Sequence, residues 1–272
     1  MPELPEVETT RRGVEPHVVG RRIVQLAVHE PRLRWPVKAN IAPAVVGQRI
    51  VRAGRRAKYL LLELESGGTL LWHLGMSGSL RVLPSNTPRQ RHDHLDLQLD
   101  SQQCLRFNDP RRFGSLLYTV DDPERHPLLR DLAPEPLEAQ FSADYLWDTT
   151  RGRRVAIKQL IMNSHAVVGV GNIYASEALF RARLRPRRQA RGLNRVEVEK
   201  LTKAIKNVLA MAVKMGGTTL RDYVGADGNP GYFRQKLFVY ERAGQPCRVC
   251  GTTIRHFNQG QRSTYYCASC QK

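Results

Sequence analysis

QRIVRAGRRAKYLLLELESGGTLLWHLGMSGSLRVL, residues 48–83, decides the fold class of the N-terminal half. Its apolar residues come in short runs that often alternate with polar ones, the period of a strand with one buried face. Gly67-Gly68 breaks the run where a hairpin turn belongs. Working outward, RRIVQLAVHE (21–30), HDHLDLQLD (92–100), QQCLRF (102–107) and FGSLLYTV (113–120) are of the same kind, punctuated by Gly, Asn and Pro. So many short strands between about 20 and 120 imply a sandwich or barrel. Cys104, inside one of them, is expected to be a small buried core residue.

The pattern changes at DDPERHPLLRDLAPEPLEAQ (121–140), which is Pro-rich and acidic. It is either a domain boundary or a long surface loop. Beyond it the period is helical, in SADYLWDTTRG (142–152), AIKQLIMN (156–163), GNIYASEALFRAR (171–183) and NRVEVEKLTKAIKNVLAMAVKMGG (194–217). Asn194 is placed to cap the last helix and Gly216-Gly217 to stop it. Together the halves make an α+β chain, and its 272 residues suit one large domain or two ordinary ones.

Charge narrows the partner. The chain carries +18 at pH 7 with a pI near 10.3, a field that favours a polyanion: DNA, RNA or an anionic membrane surface. Residues 151–206 alone contain 14 Lys and Arg against three Glu and no Asp. No apolar run approaches the ~20 residues that span a bilayer, and no signal-peptide pattern is present. The expectation is a cytoplasmic protein bound to nucleic acid; a basic surface kept for solubility is the plainer alternative.

CRVCGTTIRHFNQGQRSTYYCASC (247–270) contains four of the five cysteines, as Cys247-x2-Cys250, sixteen residues, then Cys267-x2-Cys270. Four thiolates so spaced can close a tetrahedral zinc site, with disulfides or free thiols as the alternative. A four-cysteine site leaves no position for water, so the zinc is structural. The residues between read as a hairpin with Arg262 beside its turn, well placed for a phosphate. VVGVGNIYASE (167–177) is a weaker signal. Gly169, Gly171 and Asn172 precede a helix, as a phosphate-binding loop or a plain helix–helix turn would.

The N-terminus raises a chemical possibility. With the initiator Met removed, Pro2 has a secondary amine that titrates near pH ~8 and is partly neutral and nucleophilic at pH 7. Glu3 could move a proton beside it. Pro5 suits a first helical turn, Glu6 and Glu8 suit its positive end, and Leu4, Val7 and Val14 could anchor the helix. An ordinary buried N-terminal helix explains the same residues equally well.

PELPEVE (2–8), HLGMSG (73–78), NDPRRFG (108–114), GVGNIYASE (169–177), GGTTLRD (216–222) and the terminal cysteine pairs occur in this order. In this combination the chain closely resembles the bacterial formamidopyrimidine-DNA glycosylases, bifunctional repair enzymes for oxidised purines such as 8-oxoguanine. The resemblance runs from Pro2 to Cys270. It implies a β-sandwich catalytic domain with an N-terminal helix (1–130), a helix–two-turn–helix DNA-binding domain (131–235) and a zinc hairpin (236–272), with damaged double-stranded DNA in the cleft between. It implies one structural Zn2+ on Cys247, Cys250, Cys267 and Cys270.

The resemblance further implies that Pro2 attacks C1′ of the damaged nucleotide to form a Schiff base. Glu3 is then the acid/base partner, Glu6 supports the helix, Lys58 contacts phosphate or moves a proton in β-elimination, and Arg262 acts in δ-elimination. Met76, Arg111 and Phe113 correspond to the plug, arginine and wedge that fill the gap left by the extruded base. His92, Arg153, Lys158 and Asn172 correspond to positions that bind the DNA backbone. The stretch 216–233 corresponds to a loop that closes over the flipped base. The expected enzyme is a monomeric glycosylase and AP lyase associated with the nucleoid. The rivals are the oxidised-pyrimidine glycosylases of the endonuclease VIII type and a non-catalytic zinc-ribbon nucleic-acid-binding protein.

Overall fold

The computed structural model describes residues 2–218 and 233–272. The chain forms two compact units. One is Met1–Arg130 with Met215–Arg234, the other Asp131–Lys214 with Gln235–Lys272.

In the first unit, α1 (Leu4–Val18) buries Leu4, Val7, Thr10, Val14 and Val18 at three- and four-residue spacing, the stripe of a helix packed along one side. It packs against strands of both sheets, Ile50–Arg56 and Tyr59–Leu64 on one side and Ser79–Pro84 and Gln103–Asn108 on the other. Then follow β1 (Ile23–Val28), the five-residue helix α2 (Ile41–Val45), β2 (Ile50–Arg56), β3 (Tyr59–Leu64), β4 (Thr69–His73), β5 (Ser79–Pro84), β6 (Asp93–Leu99), β7 (Gln103–Asn108) and β8 (Ser115–Thr119). They form two antiparallel four-stranded sheets, ordered β1-β6-β7-β5 and β2-β3-β4-β8. Leu60, Leu62, Leu70, Trp72 and Leu116 of one sheet share a core with Leu26, Leu80, Leu95, Leu97, Leu105 and Phe107 of the other. The rings of Trp72 and Phe107 meet edge-on at 5.5 Å. Each such buried side chain contributes about 1.5–3 kcal/mol, which is why the apolar alternation dictates the sandwich. Cys104 is buried, as expected of a strand residue in β7. At the β3–β4 turn Gly67 has φ +87°, and a side chain at Gly68 would collide with the Tyr118 hydroxyl. Helix α2 was not signalled by any apolar period; it is a single turn between two core anchors, Ile41 and Val45.

In the second unit, α3 (Ala143–Thr150) is capped by Ser142, whose Oγ accepts from Tyr145 N at 3.0 Å. After α4 (Ile157–Ile161) and α5 (Asn172–Arg181) comes α6 (Arg195–Lys214). Asn194 caps α6 as its sequence position suggests. Its Oδ1 accepts from Glu197 N at 2.9 Å while Glu197 Oε2 accepts from Asn194 N at 2.8 Å. The hairpin of β9 (Arg255–Gln259) and β10 (Arg262–Tyr266) completes the unit. Phe180, Val239, Cys247, Ile254 and Cys267 form a small core under it. No helix among the described residues is long and apolar enough to cross a membrane.

Candidate active site and nucleic-acid interface

Pro2, Glu3 and Glu6 are buried together at the start of α1. Glu6 holds this end in place. Its Oε2 accepts from Glu3 N at 2.9 Å and its Oε1 from Thr218 N at 2.8 Å, tying the first turn to a segment more than 200 residues away. The approach is so close that a Cβ on Gly217 would sit 3.0 Å from Glu6 Oε1. With both carboxylate oxygens bonded to backbone N–H groups, Glu6 fixes the position of Glu3 and of the start of α1.

Lys58 follows Ala57, which has φ +53°, in the tight β2–β3 turn. Beside it stands His73, which the motif HLGMSG contains but for which the sequence suggested no role. Burial and the positive charges of Lys58 and Arg34 push the His73 imidazole down to about 4. Gly75 N donates to His73 Nδ1 at 3.0 Å, and the ring lies 4.9 Å from that of Tyr59. With Nδ1 accepting, the neutral ring has its proton on Nε2 and offers a donor without a charge. Because the folded value lies below the ordinary 6.5, the unfolded chain takes up this proton first. Stability is therefore intact above pH 6.5 and falls by about 3 kcal/mol as pH drops towards 4. Urea unfolding of wild type and His73→Gln across that range checks this: the variant's slope should be shallower than the wild type's, with other groups such as His126, Glu8 and Asp96 supplying what remains.

Two turns of the sandwich are joined backbone to backbone. A Cβ on Gly75 would lie 2.4 Å from the Phe113 carbonyl carbon and from Gly114 N. Buried Asp109 latches them: its Oδ1 accepts from Ser77 Oγ at 2.7 Å and its Oδ2 from Gly114 N at 2.8 Å. Met76 is thereby set beside Arg111 and Phe113, which lie far from it in sequence. Phe113 is 44 % exposed and the Arg111 guanidinium sits 4.9 Å from its ring. His92, at φ +73°, borders the same turn, its carbonyl accepting from Asp109 N at 3.0 Å.

In the second unit Arg153 is exposed after the Gly152 turn, and Arg262 is exposed at the first position of β10. Lys158 is placed differently from a surface cation that binds a DNA backbone. It is 1 % exposed, and Nζ donates to Asn172 Oδ1 at 2.6 Å, Thr264 Oγ1 at 2.7 Å and Ser263 O at 3.1 Å. A buried ammonium needs such acceptors on every side. It fastens α4 to α5 and to β10, the strand that displays Arg262. Asn172 adds a bond from Nδ2 to Ser263 O at 3.0 Å.

Glu177, in α5, gave no signal in the sequence beyond being an acid in a helix of small and apolar residues. It is fully buried, and three successive backbone N–H groups converge on it: Phe238 at 2.9 Å, Val239 at 2.9 Å and Tyr240 at 3.0 Å. Burial pushes its carboxyl up, against the pull of these bonds. Tyr240 in turn packs edge-on against Tyr265 of β10 at 5.2 Å. Glu177→Gln turns an NH2 group towards N–H donors. It should destabilise the unit by about 3 kcal/mol and release amides 238–240 to hydrogen exchange.

The four Sγ atoms of Cys247, Cys250, Cys267 and Cys270 lie within 4.8 Å of one another. The Cys250–Cys267 and Cys247–Cys270 pairs are 3.5 and 3.9 Å apart. Four thiolates at ~2.3 Å from one tetrahedral zinc stand about 3.8 Å apart, so the set fits that ion. Val249 N and Cys270 N point at Cys247 Sγ and Cys267 Sγ, bonds that stabilise thiolates. Of the stretch 216–233, which corresponds to the base-closing loop, residues 219–232 lie outside the described residues.

Three family models match. The formamidopyrimidine-DNA glycosylase N-terminal domain covers residues 1–116, the H2TH domain of the same enzymes 132–224, and the zinc finger found in FPG and IleRS 244–272. The formamidopyrimidine-DNA glycosylase of Thioalkalivibrio sulfidiphilus is 58% identical over all 272 residues, covering 100% of both chains. The crystal structure of the MutM (Fpg) protein of Thermus thermophilus superposes with a TM-score of 0.90 at 40% identity, covering 99% of this chain and 98% of the other. A mutant Fpg of Lactococcus lactis, solved in complex with DNA containing Fapy-dG, gives a TM-score of 0.93 at 31% identity and 100% coverage of both chains.

Proposed function

The chain belongs to the formamidopyrimidine-DNA glycosylase family, and on that premise we propose that it excises oxidised purines from duplex DNA and then opens the strand. It is a zinc-finger DNA-repair glycosylase. The lesions it takes are 8-oxoguanine and the ring-opened formamidopyrimidines, and it works as a cytoplasmic monomer on the chromosome. The observation that carries the chemistry is the buried Pro2–Glu3 segment, held by Glu6, whose Oε2 accepts from Glu3 N while its Oε1 accepts from Thr218 N. A non-catalytic zinc ribbon would have no use for it.

The lesion is extruded first, at a cost of a few kcal/mol. Met76, Arg111 and Phe113 fill the space it leaves. The Pro2 nitrogen attacks C1′, the C1′–N9 bond breaks, and the base leaves with a proton. Glu3 donates to the ring oxygen O4′ as the sugar opens. The resulting iminium withdraws electrons from C2′, whose proton is removed; the 3′ phosphate is expelled by β-elimination and the 5′ phosphate by δ-elimination. Lys58 contacts phosphate or moves a proton in β-elimination, and Arg262 holds phosphate as a fixed cation through δ-elimination. His92, Arg153 and Asn172 fix the backbone without reading sequence. Lys158 supports Asn172 and the hairpin from inside.

Borohydride reduction tests this on a duplex with one 8-oxoguanine opposite cytosine. The expected result is a covalent adduct that maps to Pro2. Tight binding with no adduct would refute the Schiff-base chemistry.

A further inference from the structure

Residues 33–37 display two side chains outward from a rigid base. Leu33 and Val37 are buried in the sandwich core, and both of their N–H groups donate to Pro31 O at 2.9 Å. Between them Trp35 is 45 % exposed, as open as Phe113. Leaving an indole in water forgoes burial that a nearby core could provide, so an anchored and exposed Trp marks a contact surface.

Its setting says what it contacts. Arg34 N donates to Gly114 O at 3.1 Å, which joins this segment to the Arg111–Phe113 turn. The Arg34 guanidinium lies 6.0 Å from the Trp35 ring, as Arg111 lies over Phe113. The neighbouring arginines are already neutralised: Arg32 and Arg112 both pair with Glu30, at 2.7 and 3.3 Å. Arg34 is exposed and has no carboxylate partner among the described residues. Its charge is felt at His73 and Tyr59, next to Lys58. A free cation beside an open aromatic face matches a nucleotide, with phosphate on the one and base or sugar on the other.

We propose that Arg34 and Trp35 form a second DNA-contact element next to the Arg111–Phe113 turn, Trp35 stacking on a nucleotide and Arg34 holding an adjacent phosphate. This rests on the glycosylase reading and adds a contact to it.

The test uses the full, zinc-loaded chain and a duplex with a stable abasic-site analogue opposite cytosine. Affinity is measured between about 50 and 200 mM salt. Trp35→Ala should weaken binding about tenfold at every salt concentration, and Trp35→Phe should restore most of it, because stacking needs only an aromatic face. Arg34→Ala should weaken binding and flatten the log–log salt slope by about one, the signature of one lost phosphate contact. Trp72 is fully buried and Trp147 lies under Arg151 at 3.7 Å. DNA should therefore shield Trp35 from acrylamide quenching, a signal absent in Trp35→Phe. Unchanged affinity and slope in both alanine variants, or unchanged quenching on DNA, would overturn the inference while wild-type trapping left the glycosylase reading intact. A wild-type chain with no affinity for the duplex would overturn both.

Discussion

A chain whose N-terminal amine is acetylated should form no borohydride adduct and cut no strand, while its affinity for duplex DNA stays near that of the free-amine protein. In the proposed mechanism the nitrogen lone pair is the reagent, and an amide has none to offer. Binding depends instead on the +18 charge and on phosphate contacts elsewhere on the chain. Glu3→Gln should separate the steps further. It keeps the size of the side chain but loses the proton, so excision should slow about 10²- to 10⁴-fold. The reaction on a pre-formed abasic site, whose sugar already opens to the aldehyde without Glu3, should be less affected. Single-turnover rates on the two substrates, with adduct yields, decide the matter. Full strand cutting by the acetylated chain would exclude Pro2 as nucleophile.

Zinc removal should have the next largest effect, and a local one. Cys267 is fully buried in the small core with Phe180, Val239, Cys247 and Ile254. Five residues make too little core to order a hairpin, so the metal supplies the rest, on the order of 10 kcal/mol in isolated zinc modules. Cys267→Ser or chelation should melt β9 and β10. Lys158 would then lose Ser263 and Thr264, two of its acceptors, leaving a buried charge poorly compensated at about 3–5 kcal/mol. Hydrogen exchange should show amides 255–266 and the α4–α5 junction released while β3 and β4 stay protected. Zinc content should fall from one ion per chain to none. Protection of 255–266 without zinc would refute the structural role of the metal.

Some of this was legible in the residue order because the cause is local. Zinc ligation needs two pairs of cysteines, each with two residues between its members, at a hairpin's separation, and Cys247, Cys250, Cys267 and Cys270 declare that themselves. The α1 anchors Leu4, Val7 and Val14 follow from a helical period, the β3–β4 turn from Gly67-Gly68, and the α6 cap from Asn194 and Glu197 three residues later. In each case the interacting groups lie within a turn or a hairpin, so spacing is sufficient information.

What the residue order alone determined, then, is the α+β class, the basic character, the metal site and, through its motifs, the family. The tertiary structure decided how the groups are held. Ser77 and Asp109 are 32 residues apart, yet they join the turn of Met76 to that of Phe113. Glu6 reaches residue 218, and Glu177 binds three amides of a segment some 60 residues on. Lys158 corresponds by resemblance to a backbone-binding position, and in the fold it is a buried brace. His73 looks ordinary in its strand and is kept neutral by burial and by Lys58 and Arg34, which are distant in sequence. A charged side chain takes its role from burial and from its partners, and neither exists until the chain has folded.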